Sequence, residues 1–559
     1  MKLLPLLKND EKGYLTYTLA GLLSFICFLA IYGAKILNPA YTDWLQYDAE
    51  SVDTLLRTSG DLTQHYQGFV AYRAGSWQFP IGLTDMLANP GRSSVIFTDS
   101  IPLLAVIFKL LSPVLPETFQ YMGLWGAFCF IMHGMISALI FRRHSKDVIS
   151  VCSASLLMLI SPVLLFRLYG HEALGAQWIL LYFLEILYSH DKYEEGKRLY
   201  GRIAVGAVLA SSVHMYFLLM AGMIVCGISL DTLLRSKKLK RAILLPAEYI
   251  AVSVTVLLLL GAFSGSGSHY SFTGLGYHSL NLNGLFNSQG WSLILPPLSF
   301  ARDGQYEGFG YMGLGAGLCF LYAFAVFIFT KIRDKEKKLP GLFFPLLFVF
   351  AVSFFFALSP LVTLGDRVLF ELKLPGIVFS AWSVFRSTGR IVMLSVYVLE
   401  LSALIFMLKT AKRPVLNIML PVCVVLQFTD ISGILREKHE IYTAETIYRN
   451  PLDDDIWKEI GEDVRIKHVV FGFNPDHDAY HFAQWALSYD MSLSDYSLAH
   501  HSGMDYEERL KKSLSGDRGE NVYIIENGQS SLFDPAFYSI EEADGFIIAL
   551  PLYPGQAAP

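Results

Sequence analysis

The sequence predicts an all-α polytopic membrane bundle of about eleven transmembrane helices, followed by a small extracytoplasmic α/β domain. Three observations predict it. Of 559 residues, 53% are hydrophobic and only 17% charged, far from the balance of a soluble domain. The apolar residues fall into blocks long enough to cross about 30 Å of hydrocarbon, separated by short charged connections. Lysine and arginine collect in alternate connections, as the positive-inside rule requires.

The first block, Tyr14 to Ala34, is too long for the core of a secretory signal peptide and has no cleavage site before Pro39, so it reads as a retained span. Further spans are expected at Phe119 to Phe141, Val148 to Leu168, Ala173 to Ser189, Leu199 to Val213, His214 to Leu230 and Ala242 to Phe263. The last four are Phe309 to Thr330, Gly341 to Leu358, Gly389 to Leu408 and Pro414 to Asp430. Roughly thirty apolar residues between Leu199 and Leu230 lie between two basic loops, so they cross twice or not at all, and two short, tilted or broken helices would fit.

Orientation follows from the basic residues. Lys2, Lys8 and Lys12, then Arg142, Arg143 and Lys146, Lys192, Lys197 and Arg198, Arg235 to Arg241, Lys331 to Lys338, and Lys409 to Arg413 mark the cytoplasmic side. The N-terminus is then cytoplasmic. The connections Lys35 to Thr118, Ser264 to Gly308 and Ser359 to Thr388 face outward with everything after Asp430, and function is expected on that face. All six cysteines fall inside predicted spans, so none is placed to bridge the exported loops. The segment after Asp430 carries 23 acidic and 10 basic residues, which leaves a positive balance on the membrane part and gives no reason to expect nucleic acid as a partner. Membrane lipids are the expected surroundings.

The domain of residues 431–559 reads as α/β, with β-rich runs at His468 to Phe471, Asn521 to Ile525 and Gly545 to Leu550 and a helix from Asp478 to Ser488. Asp476, His477, Asp478 and His481 at its start invite a metal reading. The glutamate of a HExxH helix is missing, no third ligand can be nominated, and a surface histidine pair at a helix start is common, which favours plain surface histidines over a metal site.

The first outer loop, 35–118, is the most informative stretch, with seven acidic residues and several aromatics between Asn38 and Pro113. Its apolar run Ile101 to Leu115 is short and proline-flanked, which suits an interfacial or re-entrant helix. The series GDLTQHYQGFVAYR, WQFPIG and IFTDSIPLLAVIFK, followed by LYGHEALGAQW, SSVHMYF and FRSTGR, resembles a family of bacterial polytopic membrane proteins within the class C (GT-C) glycosyltransferase superfamily. The resemblance runs from Asn38 to Met393 and is strongest in the first loop. It implies a helical bundle in the bacterial plasma membrane whose first outer loop holds a catalytic carboxylate. It further implies a polyprenyl-phosphate-linked sugar donor, an envelope glycan, lipid or protein as acceptor, and leaves open a divalent cation, Mg2+ or Mn2+.

Such an enzyme needs a base, a phosphate clamp and a sugar pocket. Asp61 is the first choice for the base, since it lies in the best-matched segment with His65 four residues on and Arg73 downstream; a carboxylate there would accept the acceptor's hydroxyl proton. The competing reading is that Asp61 caps an interfacial helix, Leu62 to Tyr72. Asp99 is the second choice, with its own capping alternative ahead of Pro102. Arg386 and Arg390, one helical turn apart, are the candidate donor-phosphate clamp, against plain snorkelling to headgroups. Lys109 is a weaker candidate for the same role. His171 and Glu172 at a span junction, and His214 and Tyr216 at the expected helix break, either line a wet substrate cavity or bond helices together. The loop from Ser264 is rich in Gly, Ser, Asn and aromatics, suited to a sugar or simply to a mobile loop. The rival functions are a transporter or flippase of a lipid-linked glycan, and a non-catalytic envelope-assembly protein. Large outer segments, no obvious internal repeats and few charges near mid-membrane weigh against transport.

Overall fold

Hydrocarbon offers no hydrogen bonds to a backbone, so an apolar block must close its own as a helix. The computed structural model describes residues 10, 12–46, 60–190, 197–264, 274–333, 339–496, 498, 505–516 and 518–553. In chain order, α1 (Tyr14–Tyr32) precedes α2 (Asp61–Ala74) and α3 (Pro102–Leu110) of the first long connection. Then come α4 (Met122–Arg142), α5 (Val148–Leu159), α6 (Pro162–Arg167), α7 (Trp178–Tyr188), α8 (Lys197–Val213), α9 (Met215–Ser236) and α10 (Leu239–Leu260). After them run α11 (Leu314–Arg333), α12 (Phe343–Leu358), α13 (Gly376–Ser383), α14 (Val392–Thr410), α15 (Arg413–Asp430) and α16 (Ser432–Thr443). Every predicted span therefore contains an α-helix, though not over all of its described residues.

Among the described residues seven stretches are long and apolar enough to span, or eight if the pair α15 and α16, bent by 61°, is one span. The described parts of α7, α8 and α12 have 11, 17 and 16 residues, shorter than the roughly 20 residues of a typical crossing. Of the basic connections, Lys2, Lys8, Lys192 and residues 334–338 lie outside the described residues, as do residues 265–273 of the glycine-rich loop.

The chain forms two compact units. The first comprises Met1–Pro39, Tyr121–Val254 and Phe272–Ala444. In it α1 packs along α4, α4 along α5, and α14 contacts both α11 and α12. Gly134 of α4 sits against Ser24 and the Ala20 carbonyl of α1, a small-residue seam of the kind that membrane helices use to approach closely. Two interruptions are local in origin. Pro162 has no N–H to give the Met158 carbonyl, and the helix breaks there into α5 and α6. His214 alone separates α8 from α9; its backbone is extended (φ −164°, ψ 141°), and its Nδ1 accepts the Tyr216 N–H at 3.2 Å. A hairpin of β3 (Leu361–Leu364) and β4 (Arg367–Glu371) follows α12.

The second unit comprises Ala40–Gln120, Thr255–Ser271 and Glu445–Pro559. A short pair, β1 (Leu83–Thr84) and β2 (Ser93–Ser94), lies in its first segment. Its five-stranded sheet has the order β6-β5-β7-β9-β8, formed by β5 (His468–Phe471), β6 (Ser492–Leu493), β7 (Asn521–Ile525), β8 (Tyr538–Ala543) and β9 (Phe546–Pro551). The first three are parallel and β7, β9 and β8 antiparallel. The buried apolar runs of β5 and β7 suit the interior of such a sheet. Helices α17 (Asp455–Glu462), α18 (Asp478–Ser488) and α19 (Tyr506–Leu514) accompany it. The C-terminal region is thus the small α/β fold that the sequence predicts.

Helix α2 is covered by protein more fully than its polar sequence suggests. It is buried from Leu62 to Phe69 and again at Ala71 and Tyr72. Its polar residues are covered because they are bonded: Gln67 donates to the Tyr480 carbonyl at 2.9 Å and accepts from the Tyr496 hydroxyl at 3.1 Å. Nearby, Leu493 exchanges backbone bonds with Met86 and Asn89 at 2.9 and 3.0 Å. On another face of α2 a Cβ at Gly68 would come within 2.3 Å of Thr98 Cβ and 2.7 Å of Ser100 Oγ. Gly68→Ala is therefore expected to destabilise this unit by about 1–3 kcal/mol through overpacking. Thermal unfolding of the purified protein should show a lowered Tm, and an unchanged Tm would refute the tight contact.

Candidate functional site

In the second unit, Gly60 takes the left-handed conformation (φ 87°) as the N-cap of α2, so Asp61 is the first helical residue and not the cap. Asp61 is half-buried there, in the first turn of α2. One turn on, His65 is buried and its carbonyl accepts the Ser100 hydroxyl at 2.6 Å. Ser100 and Thr98 hydroxyls are 2.8 Å apart. Between them Asp99 has φ 53°, and Ile101, also at φ 53°, is the N-cap of α3. Asp99 is thus no helix cap either. A β-branched residue in the left-handed region is a strained arrangement, and such strain is held only where the surroundings fix it.

Two residues predicted to meet substrate hold the unit together. Arg73 donates to Ser112 Oγ at 3.2 Å and to the carbonyls of Glu117 and Pro116 at 2.9 and 2.8 Å. Lys109 is buried; its ammonium donates to the Tyr72 carbonyl at 2.6 Å and the Ser76 carbonyl at 3.2 Å and lies 4.2 Å from the Tyr72 ring centroid. Burial lowers its pKa to about 8. In the α/β fold, His481 Nδ1 pairs with the Tyr448 hydroxyl at 2.9 Å, which gives the histidine of the suggested metal set a structural partner.

In the first unit the structure brings four predicted residues together around two that the sequence did not single out. Glu307 lies buried in a 3-10 turn, Asp303–Gly308. Arg167, the last residue of α6, donates Nη1 to Glu307 Oε2 at 2.5 Å and Nη2 to the Glu307 carbonyl at 2.7 Å. From another side Arg390 gives two parallel bonds, Nε to Oε2 at 3.1 Å and Nη2 to Oε1 at 2.7 Å. Burial by itself raises the Glu307 pKa, but the fields of Arg167 and Arg390 and their hydrogen bonds outweigh it and hold the carboxyl well below its ordinary range. Two guanidinium groups and one carboxylate leave one formal positive charge.

The Arg390 guanidinium carbon lies 5.4 Å from the Tyr216 ring centroid. Tyr216 accepts the Ser387 N–H on its hydroxyl at 3.0 Å and stacks on His214 at 5.4 Å and 20°. His171 meets the His214 ring edge-on at 4.8 Å. Glu172, fully buried in a 3-10 turn, accepts the Trp125 indole N–H on its carbonyl at 3.0 Å. The backbone around Arg390 fits because Gly389 has no side chain: a Cβ there would come 2.7 Å from the Gly308 nitrogen.

Arg386 and Arg390 are not one α-helical turn apart. Arg386 is exposed in the link between α13 and a 3-10 turn, Thr388–Ile391, that leads into α14. In the described part of the connection that includes the glycine-rich loop, polar side chains bond one another, while Tyr277 and Phe286 are exposed. Gln305 donates to Thr363 Oγ1 at 2.7 Å and Ser279 Oγ at 3.0 Å, and Asn281 donates to Gln305 Oε1 at 3.1 Å. This network steadies the turn that carries Glu307. His278 accepts the Gly389 N–H on its carbonyl at 2.9 Å, and burial pushes its imidazole below the ordinary value. Of the two, Arg167 had a signal in sequence, since an arginine closing an apolar span needs a partner; Glu307 had none.

No curated protein matches the sequence. Among solved structures the chain is similar to the crystal structure of ArnT from Cupriavidus metallidurans bound to undecaprenyl phosphate, with 10% identity and a TM-score of 0.45 over 97% of this chain and 98% of that one. Residues 21–432 match the family model described as a domain of unknown function, DUF6311, and the chain belongs to that family.

Proposed function

We propose that this multi-pass membrane protein is a class C-type glycosyltransferase that moves a sugar from a polyprenyl-phosphate donor to an envelope glycan, lipid or protein acceptor on the extracytoplasmic face. The observation that carries the reading is the Arg167–Glu307–Arg390 cluster with its one unbalanced positive charge. It lies at the ends of α6 and α14 remote from the basic residues Arg142, Arg143 and Lys409. When the bond from the anomeric carbon to the phosphate oxygen breaks, negative charge grows on the phosphate. Donors already fixed in place stabilise that charge without reorganising. Glu307 supplies the fixing, because it holds both guanidinium planes.

The remaining roles are assigned residue by residue. Asp61 takes the acceptor's hydroxyl proton while that oxygen bonds to the anomeric carbon, and polyprenyl phosphate departs with the electron pair. Asp99 is the second candidate for that base, held by its strained turn. Arg390 and Arg167 receive the phosphate, with the exposed Arg386 as a further contact. His171, His214 and Tyr216 offer rings and ring nitrogens to the sugar, and His65 steadies the segment that carries Asp99.

Sugar transfer in membranes carrying wild type or Asp61→Asn, with a panel of polyprenyl-phosphate sugars and native envelope acceptors, tests this. Loss of transfer by about 10²–10⁴-fold in the variant, with folding intact, is the expected result for a general base. Equal transfer by both proteins would move the base to Asp99. No transfer from any donor by wild type would overturn the enzyme reading in favour of a transporter or scaffold.

Arg390→Lys keeps the charge but loses the paired donors. It should lower kcat/KM by roughly 10–100-fold, the equivalent of about 1.5–3 kcal/mol for hydrogen bonds to a charged group. Glu307→Gln leaves two guanidinium groups facing each other without their anion, and should destabilise the protein by about 3–5 kcal/mol in thermal unfolding. The acid limb of stability carries a sign. With its folded pKa depressed, Glu307 contributes fully above its ordinary value of 4.5, and that contribution is lost as pH falls toward the lower folded value. Wild type should therefore lose Tm below that point, and Glu307→Gln should lack this component.

A further inference from the structure

Helix α16, in the first unit, reads Arg-Glu-Lys-His-Glu over residues 436–440. Arg436, His439 and Glu440 are exposed, but Lys438 is 1% exposed. The helix packs on α1, where the Ala30 carbonyl meets His439 Nδ1 at 2.9 Å. Lys438 Nζ lies 5.8 Å from the Tyr32 ring centroid and 5.9 Å from that of Trp291, and both rings are buried. Among the described residues it has neither a hydrogen-bond acceptor nor a carboxylate partner. Asp430, at the bend before α16, is engaged elsewhere, by the Tyr311 hydroxyl at 2.7 Å and the Leu314 N–H at 3.1 Å. Aromatic faces at the outer limit of cation–π reach do not replace the hydrogen bonds that an amine gives up on leaving water.

A second observation lies beside the first. Trp291 opens a stretch whose apolar residues turn outward: Leu293, Ile294, Leu295 and Leu298 are all exposed. Leu293 leans over α16, where a Cβ at Gly433 would meet its Cδ2 at 3.3 Å. The same tryptophan thus borders a covered amine on one side and an open apolar strip on the other. That pairing fits an anionic group with a hydrocarbon chain attached, and basic pockets between membrane helices take lipid headgroups in this way.

We propose that Lys438 holds the headgroup phosphate of an anionic phospholipid, such as phosphatidylglycerol, whose chain lies along residues 293–298. The phosphate oxygens supply the acceptors that the protein does not, and its single negative charge matches one ammonium. The site is distinct from the Arg167–Glu307–Arg390 cluster, whose guanidinium groups already share a carboxylate. Two rings link the sites: Trp291 meets Phe166 at 5.8 Å, and Arg167 lies 4.7 Å from the Phe166 centroid. A lipid seated on Lys438 would therefore brace the ring on which Arg167 rests. The lipid site stands whether or not the chain transfers sugars.

Thermal unfolding of the full chain in neutral detergent, with and without added phosphatidylglycerol, tests it. The lipid should raise the Tm of wild type and of Lys438→Arg, and Lys438→Met should lose that response. In native mass spectrometry the affinity of Lys438→Met for the lipid should fall by about 10-fold, the worth of one hydrogen bond to a charged group. Without lipid Lys438→Met should keep the wild-type Tm, because there the amine has nothing to bond. Arg390→Lys should keep the full response, which separates this lipid from the sugar donor. A Lys438→Met chain that fails to fold, or melts lower without lipid, would overturn the proposal by making the amine a structural group. So would a lipid response absent from wild type or equal in Lys438→Met, or one that inorganic phosphate reproduces in full, since no chain would then be involved.

Discussion

The membrane-embedded unit is organised around a carboxylate taken out of water. Glu307 can be buried only because Arg167 and Arg390 reach it from different elements, and each arginine in turn is tolerable at low polarity only because Glu307 is there. Such mutual dependence adds little net stability compared with an apolar core, but it fixes geometry, since any displacement strands a charge. Three features follow from it. The turn Asp303–Gly308 must be rigid, and the Gln305 and Asn281 network makes it so. The backbone at residue 389 must approach Gly308 closely, which admits only glycine. Tyr216 must stand beside Arg390, and the Ser387 N–H on its hydroxyl places it there.

In the second unit the same logic appears in neutral form. Helix α2 is rich in polar residues and nevertheless buried, because Gln67, His65 and Gly68 each meet a specific partner: the Tyr480 carbonyl and Tyr496, the Ser100 hydroxyl, and Thr98. Asp61 and Asp99 both sit on backbone that these contacts hold still. A residue that must accept a proton from a bound hydroxyl gains from that stillness, because misplacement by an ångström weakens proton transfer steeply.

Helix formation in the apolar blocks was legible from hydropathy, since hydrocarbon leaves the backbone no alternative, and the interruption at His214 was legible from the length of the run between two basic loops. The strands of the C-terminal fold were legible from short β-branched runs, apart from the two-residue β6 and the half-exposed β8. The lengths of the individual helices were less legible, because hydropathy reports composition and not where a helix ends, and α7 ends after 11 residues. Burial of α2 was also hidden: Gln67 and its partner Tyr480 are 413 positions apart, and without that partner a polar helix looks like one bound for an interface. At the candidate site His171, His214, Tyr216 and Arg390 were readable as polar groups where polarity is expensive. The carbonyl partners of Arg73 and Lys109 were not readable, since nothing local announces them. Glu307 was missed because its neighbours in sequence are ordinary loop residues and its partners come from two distant helices.

The second unit is assembled from segments far apart in the chain, and this bears on how the protein is made. Ala40–Gln120 is translated long before Glu445–Pro559, yet α2 finds the partners of Gln67, and the Met86 and Asn89 backbone finds Leu493, only in the later segment. Throughout synthesis of the intervening helices the first segment must wait with those groups solvated or provisionally paired. Contacts of such wide sequence separation form slowly. Arrival of the stretch from Tyr480 to Tyr496 is therefore the event that completes the segment bearing Asp61 and Asp99, so a nascent chain stopped between Ala444 and Tyr480 would carry every helix of the first unit with those carboxylates still unset.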